Sequence, residues 1–169
     1  MPEFNGSPRG EGRRIVIVVS RFNESVTVPL AEGAVEALVG KGALFDDIDV
    51  LWVPGAWEIP VAVRRALATE RYDAAVAIGA VVRGETPHFD IVAGETSRGL
   101  MDVMRDFDVP VTLGLLTTDT LAQAEARAGG AHGNKGADAA LAVLEMLDLF
   151  DQIAPSLDGS DGSDGEGDA

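Results

Sequence analysis

Unbroken apolar runs alternate along this chain with segments in which apolar positions recur at helical spacing. The run from Arg14 to Ser20 (Ile-Val-Ile-Val-Val between its ends) has no polar alternation. A short run of that kind marks a strand buried on both faces. Asp49 to Val53, Ala74 to Val82 and Pro110 to Thr117 predict three further strands. Between them lie helical patterns. Val26 to Gly42 carries Leu30, Ala34, Ala37 and Leu38 on one face, with Gly40 and Gly42 as stop signals and Pro29 expected in the first turn. Glu58 to Thr69, Pro87 to Asp106, Thr120 to Ala128 and Lys135 to Phe150 predict four more helices. Glycines between Gly129 and Gly136 separate the last two.

Strand–helix alternation implies a parallel sheet covered on both faces, an α/β domain with four strands between two helical layers. The body is expected over residues 14–153, after a flexible N-terminal segment at 1–13. A low-complexity tail from Ala154 to Ala169, rich in Asp, Gly and Ser, cannot bury a core and is expected to be disordered.

Composition narrows the chemistry. The 169 residues contain no cysteine and two histidines, so cysteine metal sites, disulfides and thiol nucleophiles are excluded and a histidine metal centre is disfavoured. Thirteen basic residues stand against 28 acidic ones, giving a formal charge of −15. That balance opposes nucleic acid and anionic membranes as partners. A small anion remains compatible where a few cations are focused in one pocket. No segment reads as a membrane span or a secretory signal, so the expected compartment is the cytoplasm. A salt-adapted cytoplasm would account for the acidity.

Ligands of such sheets bind at the carboxyl ends of the strands. Arg21-Phe22-Asn23 follows the first strand, where Phe22 fits either a hydrophobic cap or a ring that stacks on a planar ligand. Pro54 to Glu58 follows the second; its small residues allow close approach, and Glu58 reads as a hydrogen-bond acceptor or as a helix-start carboxylate. After the third strand, Thr86 is placed to cap a helix beginning at Pro87, whose free N–H groups suit a phosphate. His88 in that first turn is a proton-transfer candidate or a solvated side chain. Thr118 or Asp119 is expected to cap the next helix. Arg127 and Lys135 flank the glycine-rich segment and suit either a phosphate or a helix C-terminus.

Five motifs, in this order, make the chain resemble the lumazine synthase family from about Arg14 to Phe150: Ser-Arg-Phe-Asn at 20–23, Val-Pro-Gly-Ala-Trp-Glu-Ile-Pro at 53–60, Arg-Gly-Glu-Thr-Pro-His-Phe-Asp at 83–90, Gln-Ala-Glu-Ala-Arg-Ala-Gly at 123–129 and Gly-Asn-Lys-Gly at 133–136. The resemblance implies a flavodoxin-like sheet. It also implies condensation of 5-amino-6-(D-ribitylamino)uracil with 3,4-dihydroxy-2-butanone 4-phosphate, giving 6,7-dimethyl-8-ribityllumazine and phosphate without metal or cofactor. Carried over by position, Phe22 would stack on the pyrimidine. Ala56, Trp57 and Glu58 would hold ring and ribityl chain. Ala80, Val81 and Val82 would line the pyrimidine site. Glu85 and Thr86 would offer backbone N–H groups to the phosphate, with Arg127 as ionic partner. His88 would transfer protons, and Lys135 would lie near the ring or the phosphate.

Two positions depart from the family pattern. Leu113 stands where a phenylalanine is usual, and keeps apolar contact while losing ring stacking. Glu85 stands where neutral residues are common and is expected to face solvent. The family forms pentamers with sites between subunits, some closing into icosahedral cages. The short linker at 129–136 favours a cage, although Pro8 and its glycines make the N-terminal segment a poor added strand. Leu113 leaves open a weakly active scaffold; a riboflavin synthase of the same fold would not need the phosphate segment.

Overall fold

The computed structural model describes the backbone of residues 1–158 and the side chains of residues 1–154. The chain runs β1 (Ile15–Ser20), α1 (Glu24–Gly40), β2 (Ile48–Val53), α2 (Ile59–Leu67), β3 (Ala74–Val82), α3 (His88–Phe107), β4 (Val111–Thr118), α4 (Leu121–Glu125), β5 (Ala128–Gly130), β6 (Gly133–Asn134) and α5 (Lys135–Asp158). The four predicted strands form one parallel sheet in the order β2-β1-β3-β4. Side-chain alternation along β1 splits the interior in two. Ile15, Ile17 and Val19 pack with Leu30 and Leu38 of α1 and Val143 and Leu144 of α5. Val16 and Val18 pack with Ile59 and Val63 of α2 and Leu100 and Val103 of α3. The three-layer α/β/α fold follows directly: a strand buried on both faces needs a helical cover on each.

Several element ends differ from expectation. α1 starts at Glu24 because Asn23 adopts a left-handed backbone (φ 63°) that turns the chain out of β1. Pro29 therefore sits inside the helix rather than in its first turn. Thr86 does not cap α3, which begins at His88 with Pro87 at the cap position and no side-chain cap bond. Thr120, not Thr118 or Asp119, caps α4 through a reciprocal pair with Gln123. The Thr-x-x-Gln spacing of that capping box is present in the sequence. α5 continues beyond Phe150 to Asp158. Residues 154–158 of the tail expected from Ala154 thus belong to this helix, and the rest of that tail, from residue 159 onward, lies outside the described residues.

The glycine-rich segment folds into the short antiparallel pair β5–β6. Asn134 closes it and starts α5: its Oδ1 accepts from the N–H groups of Gly136 (2.9 Å) and Ala137 (3.1 Å), and its Nδ2 donates to the Pro29 carbonyl at 2.8 Å. A Cβ on Gly136 would overlap the Leu30 carbonyl, and one on Gly33 would overlap the Asn134 amide. These glycines let α1 and α5 meet backbone to backbone.

Residues 1–13 lie along α5 and the end of α1. Ser7 N–H donates to Asp148 Oδ2 at 2.8 Å, Gln152 donates to the Asn5 carbonyl at 2.8 Å, and Arg13 pairs with Asp151. Gly10 N–H donates to the Lys41 carbonyl at 2.8 Å. Among the described residues, no helix is long and apolar enough to cross a membrane.

Candidate active site

Sheet topology decides where a cleft opens. From β1 the chain moves outward to β2, then returns to the other side of β1 to lay down β3. The connections thus diverge at the carboxyl ends of β1 and β3, which leaves a crevice there. A cleft of about 700 Å³ occupies it.

Each wall comes from a different strand end. Arg21 and Phe22 extend the β1–β2 ladder, donating to the carbonyls of Val53 (2.8 Å) and Pro54 (3.2 Å). That pairing carries Phe22 to the cleft rim, where its ring is 71% exposed. Past β2, a 3₁₀ turn over Ala56–Glu58 presents Trp57 outward and Glu58 inward at the start of α2. Ala56 is buried beneath them, its carbonyl accepting from Thr96 Oγ1 of α3 at 3.2 Å. The end of β3 supplies Ala80, Val81 and Val82 as the floor. Asn23 braces that floor, its Nδ2 donating to the Ala80 carbonyl at 2.9 Å. Gly79 keeps the sheet thin below, since a Cβ there would sit 2.6 Å from Leu115.

The fourth side is the 83–92 segment. Gly84, Thr86, His88, Phe89, Ile91 and Val92 all line the cleft. The N–H groups of Gly84, Glu85 and Thr86 donate to no acceptor among the described residues. Unpaired backbone donors at the head of a 20-residue helix suit an anion. The His88 imidazole is exposed and makes no side-chain hydrogen bond among the described residues, so both ring nitrogens are free for a ligand. The lining is mostly apolar, with Glu58 its one carboxylate, and no lysine or arginine belongs to it. Such a surface fits a planar ring with a polar chain at one end.

Four expected site residues are not in this cleft. Glu85 is exposed beside it. Leu113, 55% exposed, lies on the edge strand β4 opposite Ala77. Arg127 is half-buried past α4 and donates to the Gln123 carbonyl at 2.9 Å. Lys135 opens α5 and pairs with Asp138 at 2.7 Å. Asn23 and Thr96 brace the cleft backbone, and neither role is visible locally. Each hydrogen bond spans at least 40 residues of sequence. Among the described residues, no group of His, Cys, Asp or Glu could hold a metal ion.

Residues 12–151 match the family model described as 6,7-dimethyl-8-ribityllumazine synthase. The chain is 84% identical over 138 residues to the 6,7-dimethyl-8-ribityllumazine synthase of Gemmatimonas aurantiaca, covering 82% of this chain and 84% of that protein. It is 51% identical over 138 residues to the enzyme of the same name from Lactiplantibacillus plantarum, covering 82% and 87%.

Proposed function

Since the chain belongs to the 6,7-dimethyl-8-ribityllumazine synthase family, we propose that the cleft at the strand ends is where it carries out that family's condensation. The chain is a transferase of riboflavin synthesis. Its substrates in this reading are 5-amino-6-(D-ribitylamino)uracil and 3,4-dihydroxy-2-butanone 4-phosphate.

One observation carries the assignment. A single cleft gathers an exposed aromatic ring (Phe22), a carboxylate (Glu58), free N–H groups beside Thr86 and one imidazole (His88), from segments far apart in sequence. The pyrimidine would lie between Phe22 and the floor of Ala80, Val81 and Val82. Ala56 and Trp57 would flank the ribityl chain, with Glu58 accepting from its hydroxyls. The butanone phosphate would rest on the N–H groups of Glu85 and Thr86. The primary amine attacks the ketone, and loss of water gives a Schiff base. Phosphate leaves, and attack by the ribityl-bearing nitrogen closes the ring with loss of a second water. His88, next to the free N–H groups, would take and return protons. Both substrates are reactive by themselves, so orientation supplies much of the rate.

The cleft of one copy lacks a cation for the phosphate, whereas Arg127 and Lys135 lie elsewhere on its surface. A second copy would bring Arg127 to the phosphate, Leu113 to the pocket edge and Lys135 near the ring. Exposed apolar side chains on α2 and α3, such as Val61, Ile91 and Met101, support burial between copies. The assembly in this reading is a pentamer or a cage of pentamers, working in the cytoplasm.

The test mixes the protein with both substrates and follows lumazine absorbance and phosphate release together. The expected result is one phosphate per lumazine, with His88→Ala slowed at least tenfold. That floor lies below the ~10²–10⁴ usual for general acid–base catalysis, because orientation remains intact and supplies much of the rate. No lumazine above the uncatalysed background from an assembled protein would sink the reading.

A further inference from the structure

The Arg83 side chain lies outside the cleft, yet it is tied to three elements around it. Its backbone N–H donates to the Thr118 carbonyl at the end of β4, at 2.9 Å. Its guanidinium grips Asp90 in the first turn of α3 with both terminal nitrogens, at 3.3 and 3.2 Å. Its Nε donates to Asp119, just past β4, at 3.1 Å. The guanidinium carbon stands 4.1 Å from the centre of the Phe89 ring.

The segment between these anchors, 84–87, has little of its own to hold it. The N–H groups of Gly84, Glu85 and Thr86 make no hydrogen bond among the described residues, and a Cβ on Gly84 would touch nothing within 4 Å. The fork from Arg83 to Asp90 therefore spans the base of the loop. It fixes distance and angle at once, because a bidentate guanidinium–carboxylate pair has one favoured plane. The stacked Phe89 ring lines the cleft, and His88 precedes it. Two carboxylates already face the Arg83 charge, so it is not a free partner for a phosphate.

We propose that Arg83 is a positioning residue for the phosphate-binding segment, acting through Asp90, Asp119 and Phe89 to aim the N–H groups of 84–86 and the His88 ring; this rests on the reading of the cleft given above. The cluster is exposed, and exposed ion pairs contribute little to global stability. The consequence is geometric.

The experiment varies each substrate in turn for the wild-type protein and for Arg83→Gln, Arg83→Lys and Asp90→Asn. It also follows amide hydrogen exchange over residues 84–89 in the unliganded protein. In Arg83→Gln, the KM for the butanone phosphate is expected to rise about tenfold, with the other KM changed less than about twofold and faster exchange in the segment. Arg83→Lys recovers little, because an ammonium cannot make the fork. Asp90→Asn shifts the same KM upward by a smaller factor. If Arg83 instead bound the phosphate itself, Asp90→Asn would free it and lower that KM. Such a fall, equal rises in both KM values, unchanged exchange in Arg83→Gln, or full recovery in Arg83→Lys overturns the proposal. Wild-type protein that makes no lumazine overturns the reading of the cleft instead, while the exchange arm still decides whether Arg83 orders the segment.

Discussion

At the scale of single residues, the site separates groups that would touch a substrate from groups that aim them. Phe22, Glu58 and His88 present their side chains to the cleft. Thr96 and Asn23 spend their polar atoms on the carbonyls of Ala56 and Ala80. Thr96 is buried, so Thr96→Val removes its hydrogen bond to the Ala56 carbonyl while keeping shape, and leaves that carbonyl only the Ile59 N–H of its own turn. The expected cost is about 0.5–1.5 kcal/mol of stability, read by denaturant unfolding. The KM for the ribityl substrate should rise with it, since the turn bearing Trp57 and Glu58 loses its tether. The motif around Phe22 and the one ending in Glu58 were legible from the strand-end rule alone. Thr96 was not, because nothing within its own helix signals a partner 40 residues upstream.

At the scale of elements, the order and type of the four long strands and the main helices followed from periodicity, and the errors fell at their ends. Asn23 in a left-handed conformation moved the start of α1, and Pro87 displaced Thr86 from the cap of α3. Caps depend on backbone angles, which side-chain patterns constrain weakly. The glycine-rich segment before α5 is a packing device as much as a linker. Gly136→Ala would force a Cβ onto the Leu30 carbonyl and separate α1 from α5. A loss of roughly 1–3 kcal/mol is expected, the usual cost of overpacking, and a fall in melting temperature checks it. The N-terminal segment docks on α5 through Asp148. The Ser7 N–H, first of all, together with the Gln152 amide and Arg9 and Arg13, holds the Asp148 carboxyl below its usual range despite its desolvation. A depressed folded pKa stabilises above the unfolded value, about 4, and that stabilisation is lost as pH falls through the folded value. Protection of residues 5–10 from hydrogen exchange should therefore persist at neutral pH and fade in acid below about pH 4. In Asp148→Ala it should be weak at every pH.

At the scale of the whole molecule, the proposed reading needs a cation that the cleft of one copy does not contain. The cleft is lined by Phe22, Glu58 and His88, while the Arg127 guanidinium bonds its own Gln123 carbonyl elsewhere. If a neighbouring copy supplies that cation, two inactive variants complement each other. His88→Ala and Arg127→Ala, each with little activity, should regain about a quarter of wild-type turnover when refolded together, since a site between copies is intact only where both contributors are wild type. No recovery in mixed assemblies would mean that both groups serve the same copy's site. The sequence by itself determined the alternation of strands and helices, the two-sided burial of β1, and which residues stand at strand ends. All of these are local consequences of hydrophobic spacing. The tertiary structure alone decided which strand ends meet. Pairing β1 between β2 and β3 opens the crevice that joins Phe22, Glu58 and His88, and leaves Leu113 and Arg127 outside it. Strand order arises from long-range pairing, to which the spacing of residues within any one segment is blind.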